Sequence, residues 1–482
     1  MKKGFLSVAA SLLMLVGHSQ EKWSIIRCVD HALKNNISVR QSDLQTRFSA
    51  LTYTQSKSSQ LPSLTYGLSS GYRLGRSENP TTGVLEDNNF LSVGMQLQSG
   101  VTLFNWFSIR YNIAANRLSW EADRQQLQKA KDDVSLNVAV AYLQILLARE
   151  QVGLARVQAE QTRTQLLQTR KRVDIGVLPE LNAAELEAQL ARDSSALVTS
   201  ETGLQQFYLQ MKALLNLDAG TPFEIETPPV NQIPVLPLAD MQPESVYALA
   251  MNALPQQKVN ALRIESARKS ILSARGRMFP TVTAFGGLAT NAISFKRAIF
   301  EQSLTGYASS GARANAGGGV FLPVEIPQFA ATNTVLGYFR PGSMFKQFNT
   351  NFGQNLGLSL NVPILNARSA RTNWDRARLN LQQLELQKEQ ADLQLKQDIY
   401  KAYNDAVAAL QKFQADTKAV ETAQKSYGFA EKRYDLNLLS PFDLLNSQNN
   451  LVRARIQALY SQYDYVFKMK LLEFYRGQGL KL

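Results

Sequence analysis

The sequence is written twice, and each copy sets a pair of strand-like segments between very long helical ones. Residues 104–192 lie over 365–453 without a gap at a constant offset of 261, pairing Asn105 with Asn366, Ser108 with Ser369, Arg110 with Arg371, Asn112 with Asn373 and Leu118 with Leu379. A shared heptad alone would not match those polar positions. Upstream, residues 25–69 lie over 243–287 at an offset of 218, pairing Ala32 with Ala250, Leu44 with Leu262 and Pro62 with Pro280. The second copy therefore carries about 43 extra residues between its strands. A chain of 482 residues would ordinarily suggest about three domains; the repeat predicts one architecture of two similar halves instead.

The first residues read as a secretory leader. Lys2 and Lys3 precede an apolar run over 5–16, and Gly17 and Ser19 are small residues at the minus-three and minus-one positions of a cleavage site, which sets the leader at 1–19 and mature residue one at Gln20. No cysteine sits just after that site, so nothing there marks a lipoprotein. Past the leader no stretch of about 18 apolar residues stands out, so any membrane span is expected to be β rather than helical. Cys28 is the only cysteine, which rules out an intrachain disulfide and reads as a small core residue.

The net charge of +13 and pI near 9.6 raise nucleic acid as a partner. The distribution argues against it: Arg163, Arg170, Lys171 and Arg172 are interleaved with Gln and Glu along a helix, as on a solvated face. Leu127, Val134, Val138, Ala141, Ile145, Ala148, Val152, Ala155 and Ala159 recur at steps of three, four or seven, and Leu395, Ile399, Ala402, Ala406, Ala409, Phe413, Val420, Ala423 and Tyr427 repeat the pattern. Such spacing predicts coiled-coil seams whose alanines permit close helix approach. Residues 105–172 would form a rod of roughly 100 Å. Shorter helices over 23–59 and 181–216 would stack end to end beside it, as would 244–278 and 442–476 in the second half. Breakers at 176–179 and 437–441 make each half a helical hairpin with a tight tip.

Strands are expected over 63–72, 91–104, 281–290 and 355–365, where Thr, Tyr, Val and Leu alternate in part with small residues. Segments of about ten residues can cross a bilayer as tilted strands. The loop between the second pair is long, and its stretch 311–319, with Gly317, Gly318 and Gly319, reads as a flexible loop. Four strands cannot close a barrel, and an open edge in lipid leaves backbone groups unpaired at several kcal/mol each, so the chain must oligomerise. Two copies give eight strands with a filled interior; three give twelve and leave a lumen.

The run Lys432-Arg433-Tyr434-Asp435-Leu436-Asn437-Leu438-Leu439-Ser440-Pro441-Phe442-Asp443-Leu444-Leu445-Asn446-Ser447-Gln448 resembles the tip signature of TolC-type outer-membrane factors, and Arg172-Val173-Asp174-Ile175-Gly176-Val177-Leu178-Pro179-Glu180-Leu181-Asn182 is its partner in the first half. The opening Ala32-Leu33-Lys34-Asn35-Asn36 and the strand entries Leu61-Pro62 and Met278-Phe279-Pro280 are also similar to that family, so the resemblance covers essentially the whole mature chain.

The resemblance implies a mainly α fold with a small β part: a homotrimer whose long antiparallel coiled-coil hairpins form an α-helical barrel in the periplasm, continued by a shared twelve-stranded β-barrel, four strands per chain, in the outer-membrane lipid. The domains would then be the leader 1–19, a first structural repeat over 20–216, an equatorial linker over 217–243, and a second repeat over 244–482 with the longer extracellular loop. The implied function is the exit duct of a tripartite efflux or secretion system, served by a periplasmic adaptor and an inner-membrane transporter, which set the cargo. No enzyme activity, cofactor or metal is implied, and His31 reads as structural. The alternative is a periplasmic coiled-coil scaffold without a pore.

Carried over position by position, Asp443 falls on an aspartate of the ring that closes the periplasmic entrance, and three copies would focus negative potential in a narrow throat. Asn446 stands where that pattern has a second aspartate, which implies a weaker ring. Tyr434 falls on the tyrosine that ties neighbouring hairpins shut, while Leu439 replaces an arginine found in some members. Asp443 also suits the first turn of a helix. Val177, Leu178, Leu438 and Leu439 are expected to be exposed at the tips, docking the adaptor or touching adjacent tips in a closed state.

Overall fold

A computed structural model describes residues 22–78, 85–87, 89–228, 233–294, 296–436 and 438–477; the expected leader and Asn437 lie outside the described residues. The chain runs α1 (Ile25–Asn35), α2 (Ile37–Ser58), β1 (Ser63–Arg73), β2 (Arg76–Glu78), β3 (Leu85–Asp87), β4 (Phe90–Phe104), α3 (Ser108–Asp174) and α4 (Glu180–Leu215). It then repeats as α5 (Pro243–Ala253), α6 (Pro255–Gly276), β5 (Thr281–Ser294), β6 (Arg297–Asn315), β7 (Phe321–Phe339), α7 (Met344–Thr350), β8 (Gly353–Asn361), α8 (Ser369–Asp435) and α9 (Pro441–Tyr475). Two units result: a helical one from the described parts of 1–54, 112–271 and 374–482, and a strand-bearing one from 55–111 and 272–373.

In the helical unit α3 and α8 have 67 residues each, about 100 Å at 1.5 Å per residue. Shorter helices flank each in succession. α2 meets α3 through the stacked rings of Tyr53 and Trp120 and the Thr46 hydroxyl, which donates to the Asp123 carbonyl at 3.2 Å. Further along, α4 meets α3 through Arg156–Glu201 at 3.1 Å and the Thr162 hydroxyl, which donates to the buried Asp193 carboxylate at 2.6 Å. On α8 the corresponding neighbours are α6, through Arg268–Glu385, and α9, through Lys468–Asp405.

The segments expected as single helices over 23–59 and 244–278 are each broken in two, at positions equivalent in the repeat but by different means. Asn36 leaves the helical region; its side-chain amide donates to the Leu214 carbonyl at 2.8 Å and its side-chain oxygen accepts from the Ser38 N–H at 2.9 Å, capping α2. Leu254 is extended because Pro255 follows it, and the proline ring disfavours a helical residue before it.

The seams expected from periodicity are buried from Val134 to Val152 and from Ile399 to Ala409, whereas Phe413, Val420, Ala423 and Tyr427 are only half-buried in the single chain. One expectation fails: α3 does contain an 18-residue window apolar enough to cross a membrane, half of it buried within the chain. Its apolarity belongs to the core, where Val138, Tyr142 and Ile145 pack with Cys28, Met211 and Ile225. The segment 217–243 contributes Phe223, Ile225 and Met241 to the buried core, and Trp23 pairs with Ile225 as a parallel bridge.

In the other unit the four expected strands form one antiparallel sheet in the order β1-β4-β5-β8, so the two halves meet where β4 pairs with β5. β8 stops at Asn361 rather than 365 because Pro363 has no N–H for a ladder. The expected flexible loop is instead a hairpin of two 19-residue strands, β6 and β7, with Gly311 inside β6 and Gly317, Gly318 and Gly319 at positive φ in the turn. Beyond the last β5–β8 pair, α7 covers the free edge of β5: Thr290 donates to the Phe348 carbonyl and Asn351 to the Asn291 carbonyl, both at 2.7 Å.

Each strand-to-helix joint is a tight turn with two consecutive left-handed residues, Trp106 and Phe107 in one half, Ala367 and Arg368 in the other. It is closed by Ser108 N–H to Asn105 carbonyl and by Ser369 N–H to Asn366 carbonyl, both 3.0 Å. The two joints fall at equivalent positions of the repeat, at the matched Asn and Ser residues. A left-handed non-glycine residue costs about 1–2 kcal/mol. Next to the first joint, Ser108 and Ser273 each donate a hydroxyl to the other's carbonyl, at 2.8 and 3.0 Å.

Candidate duct wall and entrance tips

Alternation sorts the sheet into two faces. On one, cross-strand rows read Tyr66–Leu97–Leu288, Leu68–Met95–Thr290 and Val101–Ala284–Leu358, with Leu64, Tyr66, Leu68, Leu356, Leu358 and Leu360 well exposed. On the other they read Thr65–Gln98–Gly287–Asn355, Gly67–Gln96–Ala289–Gly353 and Ser63–Gly100–Phe285–Gly357. Glycines there make room for the larger polar and aromatic side chains: a Cβ at Gly357 would lie 2.6 Å from the Phe285 ring, and one at Gly67 3.1 Å from the Gln96 amide. The four strands carry one charged side chain, Arg73, the last residue of β1. An apolar face fits hydrocarbon; a neutral, glycine-lined polar face fits a water-filled passage. Among the described residues the outer edges of β1 and β8 have no partner strand in the sheet.

In the helical unit each long helix runs into a tip. α3 ends at Asp174, and Gly176 at φ 76° lets the Val177 N–H reach back to the Arg172 carbonyl at 2.8 Å. Arg170 crosses this tip to Glu180 at 2.7 Å and Glu187 at 3.3 Å. In the second tip Ser440 caps α9: its hydroxyl accepts from the Asp443 N–H at 3.1 Å and donates to the Asp443 carboxylate at 2.7 Å. Asp443 therefore does serve as a first-turn acid, and its side chain and that of Asn446 are exposed.

Tyr434 is half-buried, and the Arg172 guanidinium lies 5.5 Å from its ring centre, which joins the two hairpins of one chain near their tips. Above that contact Gln448, fully buried, receives a hydrogen bond from Gln165 at 2.9 Å and reaches Gln158 and Gln161. On the exposed face of α8, Glu421 is held down at about 2 by the ammonium groups of Lys418 and Lys425, each 2.8 Å away.

Of the four tip residues expected to be exposed, Val177 and Leu438 are, whereas Leu178 and Leu439 are half-buried. Each sits directly before the cap residue of the helix that follows, Pro179 or Ser440. Reading the sequence missed Ile175, Leu181, Leu436 and Phe442, all well exposed. The available signal was apolar residues crowded around the breakers of both tips.

A profile of the outer membrane efflux protein family matches residues 28–217 and 247–475. The outer membrane efflux protein BepC of Brucella suis biovar 1 (strain 1330) is 21% identical over 466 residues, 95% of this chain and 87% of that protein. Solved structures share the fold at low identity. The CmeC outer membrane channel of Campylobacter jejuni superposes with a TM-score of 0.71 at 15% identity, covering 95% of this chain and 87% of that one. The open state of the MtrE outer membrane channel of Neisseria gonorrhoeae does so with 0.70 at 18%, covering 95% and 89%.

Proposed function

This chain belongs to the outer membrane efflux protein family, and from that premise we propose that three copies close their sheets into one twelve-stranded barrel, continued in the periplasm by an α-helical duct. The chain is an efflux conduit through the outer membrane, in a family of channels rather than enzymes. The observation that carries the trimer is the four-stranded sheet with unpartnered β1 and β8 edges beside an apolar face. Unpaired strand edges are intolerable in lipid. Pairing β1 of one copy with β8 of the next removes all of them, and twelve strands leave a lumen where eight would not. We assign 1–19 as the leader and 20–216 and 244–482 as the two repeats, joined by 217–243.

At the closed entrance three Asp443 carboxylates ring the axis, with Asn446 one turn along and Tyr434 tying adjacent hairpins. Cations are favoured in such a throat, less strongly than with two carboxylates per copy. Val177, Leu178, Leu438 and Leu439 dock a periplasmic adaptor coupled to an inner-membrane transporter. Single-channel recording of the trimer in a planar bilayer tests the ring: a low-conductance, cation-favouring pore is expected, with selectivity reduced in Asp443→Asn. Unchanged selectivity would remove Asp443 from the conduction path. For docking, Leu438→Asp is expected to abolish efflux with trimers intact, and preserved efflux would count against it.

A further inference from the structure

Just past the end of the sheet, three cations lie on chain segments that are tied to one another. β6 and β7 pair Ala298 with Tyr338 and Arg297 with Phe339, and Lys296 and Arg340 are the residues that flank this last pair on the two sides of the hairpin. The Lys296 ammonium rests on the Tyr338 ring, 3.8 Å from its centre. Gln347 brings in the third cation. Its amide donates to the Ile293 carbonyl at 2.8 Å and to the Gly342 carbonyl at 2.7 Å, while its oxygen accepts from the Ile293 N–H at 2.9 Å. That bracket ties α7, which carries Lys346, to Ile293 on β5 and to Gly342, two residues past Arg340, and the Lys346 side chain lies against Gly342. All three cations are exposed, and among the described residues none has a carboxylate within ion-pair distance.

Like charges on neighbouring segments repel, and an anion between them turns that repulsion into attraction. The surroundings say which kind. The apolar face ends on this side in the row Tyr72–Leu91–Ser294, and Tyr72 together with Phe345 (86% exposed), the neighbour of Lys346, is uncovered, as aromatic side chains are at a membrane interface. A phosphate at this level would be attached to acyl chains running down the apolar face.

We propose that Lys296, Arg340 and Lys346 bind the phosphorylated headgroup of a glycolipid in the outer leaflet, with Gln347 as the positioning residue that holds the three together. The site rests on the reading that the sheet crosses the outer membrane with this end outward.

The test is binding of bisphosphorylated lipid A, against its dephosphorylated form, to purified trimers in detergent, read by native mass spectrometry. Each cation contributes about fivefold to affinity at an anionic surface, so Lys296→Gln, Arg340→Gln and Lys346→Gln together are expected to weaken lipid A binding about a hundredfold. The charge-preserving set Lys296→Arg, Arg340→Lys and Lys346→Arg is expected to retain it. Gln347→Ala, which alters no charge, is expected to weaken it as well. Equal binding of dephosphorylated lipid, undiminished binding by the triple Gln variant, or equal competition by inorganic phosphate overturns the proposal. Unheated gels of the same preparations separate the two readings: trimers that bind no lipid A overturn the site alone, whereas absence of trimers overturns the barrel and the site with it.

Discussion

Asp132 on α3 has its carboxyl raised above the ordinary carboxylate value, chiefly by burial, against the lowering effect of the Gln128 amide that donates to it at 2.8 Å. The unfolded chain therefore releases this proton at lower pH than the folded one, and stability falls as pH rises through the window between the two values. Asp132→Asn is expected to raise the thermal midpoint at pH 7 and to have no such benefit below about pH 3.9; an equal gain at both pH values would exclude titration as the cause. Nearby, burial pushes the Cys28 thiol up to about 12, the state of an inert core group, which agrees with its reading from the sequence. Residue roles were legible where a local rule fixes them, as for Cys28 or the first-turn placement of Asp443. They were hidden where a partner far along the chain decides, as when Asn36 caps the Leu214 carbonyl 178 positions away.

Among the elements, glycines separate packing from propensity. A methyl at Gly276, the last residue of α6, would sit 2.9 Å from the Ser108 Cβ and 3.0 Å from the Trp106 carbonyl oxygen, whereas one at Gly153 in α3 meets nothing within 4 Å. Gly276→Ala is expected to destabilise by about 1–3 kcal/mol through overpacking against the strand-to-helix joint, and Gly153→Ala to stabilise by about 1 kcal/mol through helix propensity. Thermal melts in detergent check both, and a loss at Gly153 would show that its face is covered. Both long helices were readable from a clean period and a breaker at the tip, and the four sheet strands from partial alternation of β-forming residues, two of them entered through Pro62 and Pro280. β6 and β7 were not: register shifts at Phe300, Gln302, Gly306 and Arg313, together with Pro323 and Pro327, erase the alternation that marks a strand.

For the whole molecule, the two faces of the sheet should respond in opposite ways to the same charge. Leu288→Arg places a cation on the apolar face and is expected to cost about 2–4 kcal/mol per copy, seen as a lower temperature of trimer dissociation on gels. Ser359→Arg, on the polar face, is expected to leave that temperature unchanged and to shift ion selectivity in single-channel recordings. Reversed outcomes would exchange lipid and lumen. The two-fold repeat makes this division of labour legible in the amino-acid sequence, since both halves supply strands, joints and hairpins at fixed offsets. The 43-residue difference falls between β5 and β8, at the end of the sheet away from the strand-to-helix joints, and the chain leaves and rejoins the sheet there where β5 and β8 pair. With the proposed orientation, a foreign peptide spliced into the glycine turn at 317–319 is expected to be displayed outside the cell by a host that still assembles, which would make the hairpin a ready-made site for tagging live bacteria.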